Sequence, residues 1–258
     1  MFKLGVIQAR MNSKRLPGKV LADIVGKPLL WHIVNRLKFS RLLDKVVVAT
    51  SVNPQDDSIE RVCKECGIEI YRGSEEDLID RFYQTSKKYK AQVVVRITGD
   101  CAVVDPRWVD KVLSFFISHI GEYEYVSNSR PISTLPHGLE IEAMDASLLE
   151  KLWIEIKDPF RREWFTTVIF ENPQKYKIYC LKNEEDLSWM RLVVDYPEDL
   201  ELIRYIYKNL YSPDKCFYLQ DILNLYSKNP HIFKINQKYR RDEQYFEELR
   251  KRGIKRGR

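Results

Sequence analysis

The sequence predicts an α/β protein whose sheet is mostly parallel and covered by helices on both sides. In the first half of the chain, short runs of β-branched residues alternate with stretches of helical spacing, which is typical of successive β-α units. Two of those runs, residues 46–48 and 93–95, consist entirely of valine. Continuous apolar strands of this kind are expected where both faces of a sheet are buried.

Taken in order, the elements of the first half follow from these patterns. Short apolar runs predict strands, and apolar residues repeated every three to four positions predict the helices between them. The predicted strands are residues 3–9, 45–50, 68–71 and 92–97. The predicted helices are residues 28–39, 54–66, 75–88 and 106–119.

The second half of the chain alternates less regularly. The predicted strands are residues 123–127, 139–144, 177–181 and 191–195, and the predicted helices are 146–156, 160–171, 197–209, 219–227 and 237–252. There is no internal repeat and no linker rich in proline, glycine or serine. We therefore expect one α/β domain over residues 1–236, with a smaller lobe at about 123–182, and a basic helical tail over 237–258.

The composition is that of an ordinary soluble protein, with 44% hydrophobic and 31% charged side chains among 258 residues. No apolar run approaches the roughly 20 residues that a membrane helix requires, and the N-terminus leads into a strand without a signal-peptide pattern. We expect a cytoplasmic protein that does not engage a membrane. The odd number of cysteines, five, argues against a framework of disulfides.

The net charge of +6 is concentrated at the C-terminus. Residues 238–258 hold nine lysines or arginines against four acids, so the rest of the chain is nearly neutral. Nucleic acid is not an expected partner, because a nucleic-acid-binding domain usually carries a broad basic surface. The tail is either a solvated helix end or a docking site for a partner.

A basic loop follows the first predicted strand. Its cations are Arg10, Lys14, Arg15 and Lys19, with Ser13 and Gly18 between them. Polyphosphate chains are bound by backbone N–H groups and cations where a strand enters a turn, and arginine can hold phosphate oxygens with two hydrogen bonds. The Walker A and GxGxxG patterns are absent. The loop predicts a nucleoside triphosphate site, and the alternative is a solvated basic turn.

Two aspartates are predicted at the carboxyl ends of strands. Asp100 follows Thr98 and Gly99 after one strand, and Asp195 ends another before a helix that begins with Pro197. Ligands of open α/β sheets bind outside the carboxyl ends of the strands, and Gly99 allows the backbone to approach a ligand closely. Together the two carboxylates predict a divalent-cation site. Taken singly, each is also consistent with a turn or a helix cap.

Several segments together resemble the cytidylyltransferase family. They are the strand and loop at 6–21, Gly-Lys-Pro-Leu at 26–29, Arg-Gly-Ser-Glu at 72–75, Thr-Gly-Asp-Cys at 98–101 and Val-Asp-Tyr-Pro-Glu-Asp-Leu at 194–200. The family includes the CMP-3-deoxyoctulosonate and CMP-acylneuraminate synthetases. The match is greatest with the branch named for the spore-coat polysaccharide biosynthesis protein SpsF, and it extends from residue 4 to about residue 203.

The resemblance implies a Rossmann-like nucleotide-diphospho-sugar transferase fold, with a mostly parallel mixed sheet flanked by helices, a small acceptor-side lobe and a helical C-terminal extension. It implies that CMP is moved from CTP onto an anionic acceptor, with release of pyrophosphate and with Mg²⁺ or another divalent cation. The acceptor would be a sugar acid, a sugar phosphate or a related phosphate or phosphonate, used in surface polysaccharide or glycoconjugate synthesis. A homodimer is implied by the same relatives.

The resemblance also assigns roles by position. The catalytic residues would be Arg10, Lys19 and Asp100, and the metal ligands would be Asp100 and Asp195. The nucleotide would be bound by Ala9, Arg10, Ser13, Arg15, Lys19, Arg72, Thr98 and Gly99, of which Arg72 and Thr98 would face the base. The acceptor side would contain His137, Glu140 and Glu142, with His137 as a candidate proton acceptor.

Two residues depart from the family pattern, and two alternative functions stay open. Trp164 stands where the family has histidine, and Ala102 stands where it has proline. One alternative is a glycosyltransferase of related fold that uses a nucleotide sugar. Such enzymes usually carry an Asp-x-Asp motif after the central strand, which is absent after Asp100. The other alternative is a non-catalytic nucleotide-binding scaffold that docks through its tail.

Overall fold

The computed structural model describes residues 1–254, which form a seven-stranded mixed sheet and a separate two-stranded ribbon. The strands are β1 (Lys3–Gln8), β2 (Asp23–Ile24), β3 (Lys27–Pro28), β4 (Lys45–Ser51), β5 (Ile70–Gly73), β6 (Val93–Thr98), β7 (Tyr125–Ser127), β8 (Glu142–Asp145) and β9 (Ile178–Cys180). The order in the large sheet is β5-β4-β1-β6-β8-β7-β9. Only β8 runs against the other strands of this sheet, which confirms the mostly parallel α/β fold.

Ten α-helices accompany the strands within the described part of the chain. They are α1 (Leu29–Leu37), α2 (Asp57–Glu65), α3 (Leu78–Lys88), α4 (Pro106–Ser118), α5 (Ala146–Glu155), α6 (Pro159–Glu163), α7 (Phe165–Phe170), α8 (Pro197–Leu210), α9 (Leu219–Lys228) and α10 (Glu243–Lys251). Apolar residues of α1, α2, α4, α8 and α9 form one buried cluster. Those of α3, α5 and α7 form a second. No helix within residues 1–254 is long and apolar enough to cross a membrane.

The central strand β1 contributes to both clusters because its side chains alternate between the two faces of the sheet. Leu4 and Val6 pack in the second cluster, whereas Ile7 packs in the first. The chain leaves β1 toward β4 and β5 on one side and returns to β6 on the other side. At such a switch in direction, the loops after two neighbouring strands separate and leave a crevice. The loop after β1 and the residues after β6 meet there.

Two predicted elements within residues 1–236 differ from the structure in type or continuity. The prediction of a strand at 191–195 is wrong. This segment is extended, but its N–H groups bond to loops: Leu192 donates to the carbonyl of His137 and Val194 to that of Asp100. Its apolar residues are buried, although no strand pairs with them. A buried extended segment and a buried strand have the same pattern of apolar residues, so the sequence does not distinguish the two. The predicted helix at 160–171 is divided at Trp164, whose backbone leaves the helical region between α6 and α7.

The described part of the tail folds back onto the domain. The helix predicted at 237–252 begins later, with α10, and the residues before it form turns. Asn236 is fully buried, and the ring of Tyr239 stacks on that of Tyr196 with centroids 3.7 Å apart. Up to residue 254, the tail is therefore not a solvated helix end. The last predicted cations, at 255–258, lie outside the described residues, and the domain boundary at 236 stays a prediction.

Lowering the pH is expected to destabilise the fold through His32 on α1. Its buried imidazole donates from Nε2 to the carbonyl of Ile24 at 2.7 Å, and burial lowers its pKa to about 4. In the unfolded chain a histidine titrates near 6.5. Between these values the unfolded state binds more protons, so the stabilisation is complete above pH 6.5 and decreases as the pH falls toward 4. We expect a loss of about 2 kcal/mol in unfolding free energy between pH 8 and pH 5.

Urea unfolding at the two pH values measures this loss. His32→Gln retains an amide donor but does not titrate, so its stability should fall less than that of the wild type over the same range. His231→Gln changes an exposed histidine and should behave like the wild type. Equal pH dependence in the His32 variant and the wild type would contradict the assignment.

Candidate active site

A cleft of about 890 Å³ lies at the carboxyl ends of β1 and β6. One wall is the loop after β1, and the opposite wall comes from the lobe around β7 and β8 and from the C-terminal helix. All the predicted site residues except Arg72 line this cleft: Ala9, Arg10, Ser13, Arg15, Lys19, Thr98, Gly99, Asp100, His137, Glu140, Glu142 and Asp195. The fold thus brings together residues that are up to 186 positions apart in the sequence.

The basic loop is held in place by its own backbone and by a buried carboxylate. The carbonyl of Met11 accepts hydrogen bonds from the N–H groups of Ser13 and Gly18, both at 2.9 Å. The N–H of Met11 donates to Asp56 at 2.7 Å. Gly18 has φ +72°, a left-handed conformation that glycine adopts without strain. The loop therefore reverses tightly and directs its cations toward the cleft.

Lys19 is the centre of the polar cluster in the cleft. Its ammonium group lies 2.9 Å from Asp100, 2.8 Å from Asp195 and 2.7 Å from the carbonyl of Val194. Arg15 also pairs with Asp195, at 2.5 Å. Two cations and two carboxylates thus meet where the loop, the end of β6 and the start of α8 converge. Neither aspartate acts as a helix cap, because α4 is capped by Asp105 and α8 by Tyr196 and Asp199.

Lys19 and Asp100 are both held in their charged forms. Burial alone would lower the pKa of Lys19, yet the charges of Asp100 and Asp195 raise it above its ordinary value. Burial alone would raise the pKa of Asp100, but Lys19 and the hydroxyl of Thr98 hold it well below its ordinary value. The Thr98 hydroxyl donates to this carboxylate at 2.5 Å. Lys19 and Asp100 are therefore both ionised at neutral pH.

The chemistry of this cluster suits a divalent cation. Asp100 and Asp195 are hard oxygen donors that already share one positive group, and magnesium is commonly bound by one or two carboxylates together with substrate phosphates and water. Within residues 1–254, no third histidine, cysteine or acid joins them to form a complete set of protein ligands. The remaining ligands would come from the triphosphate and from water.

Gly99 allows a ligand to approach the backbone between β1 and β6. A Cβ atom at this position would lie 2.5 Å from the carbonyl oxygen of Gln8, so no larger residue fits without a shift of the backbone. Ala9 on the neighbouring loop is buried and also lines the cleft. The floor of the cleft is therefore formed by main chain and small side chains.

His137 lies in the acceptor half of the cleft with one ring nitrogen already engaged. Arg191 donates from Nη1 to Nδ1 of His137 at 3.1 Å. Because arginine has no acceptor, Nδ1 must be the unprotonated nitrogen, and Nε2 carries the hydrogen. Nε2 lies 4.0 Å from Glu140. Burial lowers the pKa of His137 below its ordinary value, so the ring is neutral at pH 7. The geometry favours a positioning role over proton abstraction.

Glu140 and Glu142 are each held by an arginine. Glu140 accepts from Arg241 at 2.7 Å and from the N–H of Gly138 at 2.7 Å. Glu142, at the start of β8, pairs with Arg96 and accepts from the hydroxyl of Tyr125 at 2.7 Å. These carboxylates fix the orientation of basic residues along the acceptor wall.

Arg72 is not part of the cleft. Its guanidinium donates to the carbonyls of Ser51 and Asn53 and pairs with Glu60 and Asp57 on α2. These contacts attach β5 to the neighbouring loop and helix. Arg72 is therefore placed as a structural residue, and it is left out of the nucleotide site proposed below.

Sequence reasoning missed several residues of the acceptor wall. They are Arg96, Arg130, Arg161, Glu163, Asp242 and Tyr245, all of which line the cleft. They come from strand interiors, from the lobe and from the tail, where no local motif marks them. The available signal was the departure at Trp164, which packs against Tyr245 with ring centroids 5.1 Å apart. A changed residue in the acceptor half thus contacts the C-terminal helix.

Residues 4–222 match the model of the cytidylyltransferase family. The chain belongs to this family. Members transfer CMP from CTP and are nucleotidyltransferases, so the predicted family, the predicted transferase fold and the predicted enzyme class are confirmed. The matched range includes the basic loop, Asp100 and Asp195, and it ends before the C-terminal helix.

Individual relatives of this cytidylyltransferase match it over most of its length. An uncharacterized protein of Methanocaldococcus jannaschii is 36% identical over 241 residues, which cover 92% of this chain and 95% of that protein. The spore coat polysaccharide biosynthesis protein SpsF of Bacillus subtilis is 33% identical, and the match covers 88% of this chain and 95% of SpsF. The structure of a cytidylyltransferase from Leptospira borgpetersenii is 35% identical with a TM-score of 0.87, covering 93% and 100% of the two chains.

Proposed function

We propose that this cytidylyltransferase moves CMP from CTP onto an anionic acceptor, either a sugar acid or a sugar phosphate, and releases pyrophosphate. The observation that carries the proposal is the position of Lys19 between Asp100 and Asp195, in a cleft whose opposite wall contains arginines. Lys19 and the two aspartates suit a triphosphate bound with a divalent cation. The arginines of the opposite wall suit an acid group of the acceptor. The name of the relative SpsF supports a role in surface polysaccharide synthesis.

The basic loop binds the triphosphate in this proposal. Arg10, Arg15 and Lys19 neutralise phosphate oxygens, and the Ser13 hydroxyl adds a hydrogen bond. Arg10 pairs with Glu163 at 3.0 Å and is 39% exposed in its side chain, so it can turn toward a phosphate. The main chain at Gly99 lies close to the bound nucleotide, and Thr98 faces the base.

The transfer is an in-line displacement at the α-phosphorus of CTP. An oxygen of the acceptor forms a bond to this phosphorus, and the bond from it to the oxygen that bridges to the β-phosphorus breaks, which releases pyrophosphate. The protein contributes position and charge, because little covalent chemistry is required of it. Lys19 and the two arginines stabilise the negative charge that develops on the leaving group.

Asp100 and Asp195 are the proposed ligands of magnesium. When bound, the ion would neutralise phosphate charge and lower the pKa of an acceptor hydroxyl. An acceptor that is already an oxyanion needs no general base. For a hydroxyl acceptor, the role of His137 as proton acceptor stays a prediction, and it would require Nδ1 to leave its contact with Arg191.

A pyrophosphate-release assay tests the proposal. Each of the four nucleoside triphosphates, with Mg²⁺, is combined with a panel of sugar acids, sugar phosphates and phosphonates. We expect release only with CTP and only when an anionic acceptor is present. Use of another nucleotide, or transfer to neutral sugars, would contradict the proposal.

The same assay separates the two alternatives. A glycosyltransferase would bind a nucleotide sugar tightly and would not consume CTP. A non-catalytic scaffold would bind CTP without releasing pyrophosphate with any acceptor. Mass measurement in solution would test the predicted homodimer, and the cytoplasmic location likewise stays a prediction.

A further inference from the structure

The C-terminal segment, defined here as residues 236–254, connects the two halves of the cleft. At its beginning, the Asn236 amide donates to Asp199 at 2.8 Å, and the following turns stack Tyr239 on Tyr196, beside Asp195. At its end, α10 packs on the lobe, where the Tyr245 hydroxyl donates to Glu171 at 2.5 Å. This segment lies beyond the part of the chain that matches the family model.

Asp242 of this segment pairs with Arg130 in the acceptor half of the cleft. The two side chains are 2.5 Å apart, and both line the cleft. Asp242 has φ +58°, a left-handed conformation that aspartate tolerates better than most residues. The preceding residue, Arg241, donates to Glu140. Two successive residues of the segment thus hold two charged groups of the acceptor wall.

Arg130 keeps donor groups on its guanidinium that make no hydrogen bond to the described residues. Arg96, by comparison, uses Nε and Nη1 for Gln8 and Glu142, and Arg161 uses Nη1 for Thr167, Glu171 and Tyr245. Among residues 1–254, the guanidinium of Arg130 hydrogen-bonds through Nη2 to Asp242 alone. Its Nε and Nη1 groups therefore remain available, and a guanidinium can bind a carboxylate or a phosphate through two such donors.

Ser129 provides a second and independent indication of a ligand. This residue is only 5% exposed and lines the cleft next to Arg130. Its hydroxyl is buried and has no hydrogen-bond partner within the part of the chain that the structure describes. A buried polar group without a partner costs free energy, and a ligand acceptor atom at this place would remove that cost.

This group of residues is connected to the transfer site by a short series of contacts. Arg241, which precedes Asp242, pairs with Glu140 at 2.7 Å. The Cys101 thiol lies 3.7 Å from the same carboxylate, and Cys101 follows Asp100 directly in the chain. An acceptor that extends from the transfer site along this wall therefore meets Arg130.

We infer that Ser129 and Arg130 bind the acid group of the acceptor, and that Asp242 of the C-terminal segment positions the guanidinium of Arg130. The identity of the ligand as the acceptor rests on the proposed function. Ser129 and Arg130 are binding residues, whereas Asp242 acts through Arg130. The shared chemistry is an oxyanion, which a sugar carboxylate and a sugar phosphate both provide.

Equilibrium binding to the full-length protein tests this inference without turnover. The protein is saturated with cytidine 5′-(α,β-methylene)triphosphate, which cannot be cleaved at the α,β bond. Sugar acids and sugar phosphates are then titrated alongside their neutral parent sugars. We expect the wild type to prefer the anionic members by about tenfold or more, and the preferred class shows whether the acid group is a carboxylate or a phosphate.

Four variants give the inference its discriminating power. Arg130→Gln should abolish the preference, and Arg130→Lys should restore part of it. Asp242→Asn should reduce it by a smaller factor, because Arg130 keeps its charge but loses its orientation. Glu247→Gln removes one exposed carboxylate from α10, the helix that follows Asp242, and should leave the preference for anionic ligands unchanged. The affinity for the nucleotide analogue should stay within about twofold in all four.

Three results would overturn the inference. They are a retained preference in Arg130→Gln, a parallel loss of nucleotide affinity in that variant, and the absence of any preference in the wild type. Thermal unfolding of each variant identifies a folding defect. If Arg130→Gln does not fold, the preference of Arg130→Lys for anionic ligands is compared with that of the wild type, and an undiminished preference overturns the inference. If the preference is present but no pyrophosphate is released in the transfer assay, the proposed function fails while the binding site stands.

Discussion

Replacing Asp100 with asparagine is expected to lower kcat/KM for CTP by about three orders of magnitude, or ~4 kcal/mol of transition-state stabilisation. The variant loses one of the two carboxylates that face Lys19 and would hold a divalent cation. The effect should fall on kcat, because charge at the transferring phosphoryl group matters most in the transition state. Steady-state kinetics over a range of Mg²⁺ concentrations measures it.

The fold should survive this change. The single carbonyl oxygen of asparagine can still accept from Thr98 or from Lys19, which donate to different oxygens of Asp100, and Lys19 keeps its ion pair with Asp195. Asp214→Asn, a change of the same type at an exposed position, serves as the control and should retain full activity. Activity within about tenfold of the wild type in Asp100→Asn would exclude Asp100 as an essential ligand.

The nucleotide half of the cleft was predictable because its residues are close in sequence to strand ends. The loop after β1 places Arg10, Arg15 and Lys19 within ten positions, and a parallel sheet requires this loop to lie beside the end of β6. The positions of these cations near Asp100 therefore follow from local pattern and topology together. Their mutual distances do not, since the pairing of Lys19 with Asp195 depends on where α8 begins.

The acceptor half was less predictable because its residues come from separate elements. Arg130 follows a three-residue strand in the lobe, and Asp242 lies in a segment that the charge pattern marked as a basic tail. Composition describes the charge of that segment but not its partners. In the structure, Lys238 and Arg241 pair with acids of the domain, and Asp242 pairs with Arg130 of the lobe, so cations and acids of this segment alike are bound to distant residues.

Arg72 shows the converse limit of sequence reasoning. A resemblance between motifs assigns a residue to a site by its position in the pattern, whereas the guanidinium is long enough to bond on either side of its strand. Here it reaches back to α2, to the end of β4 and to the loop after it. The direction of such a side chain is decided by the nearest carboxylates, and these are not adjacent to it in the sequence.

Replacing Lys19 with methionine is expected to lower the free energy of unfolding by ~3 kcal/mol. Methionine fills a similar volume but leaves Asp100 facing Asp195 without the ammonium group that neutralises both. The Lys19 side chain is 10% exposed and that of Asp195 is 6% exposed, so water compensates only in part. Arg15 still pairs with Asp195 at 2.5 Å, which keeps the cost at the lower end of the range for a broken buried ion pair. Urea unfolding without divalent ions measures the difference.

Magnesium should reverse much of this loss. With the ammonium group absent, two carboxylates remain that attract a divalent cation more strongly than in the wild type, and an ion bound only to the folded state raises its stability. The melting temperature of Lys19→Met should therefore rise with Mg²⁺ by more than that of the wild type. Lys64→Met removes the pair with Glu60 and should cost at most about 1 kcal/mol, with the same response to Mg²⁺ as the wild type. If Lys19→Met responds no more than the wild type, Asp100 and Asp195 do not form a cation site, and the metal must be held by the triphosphate alone.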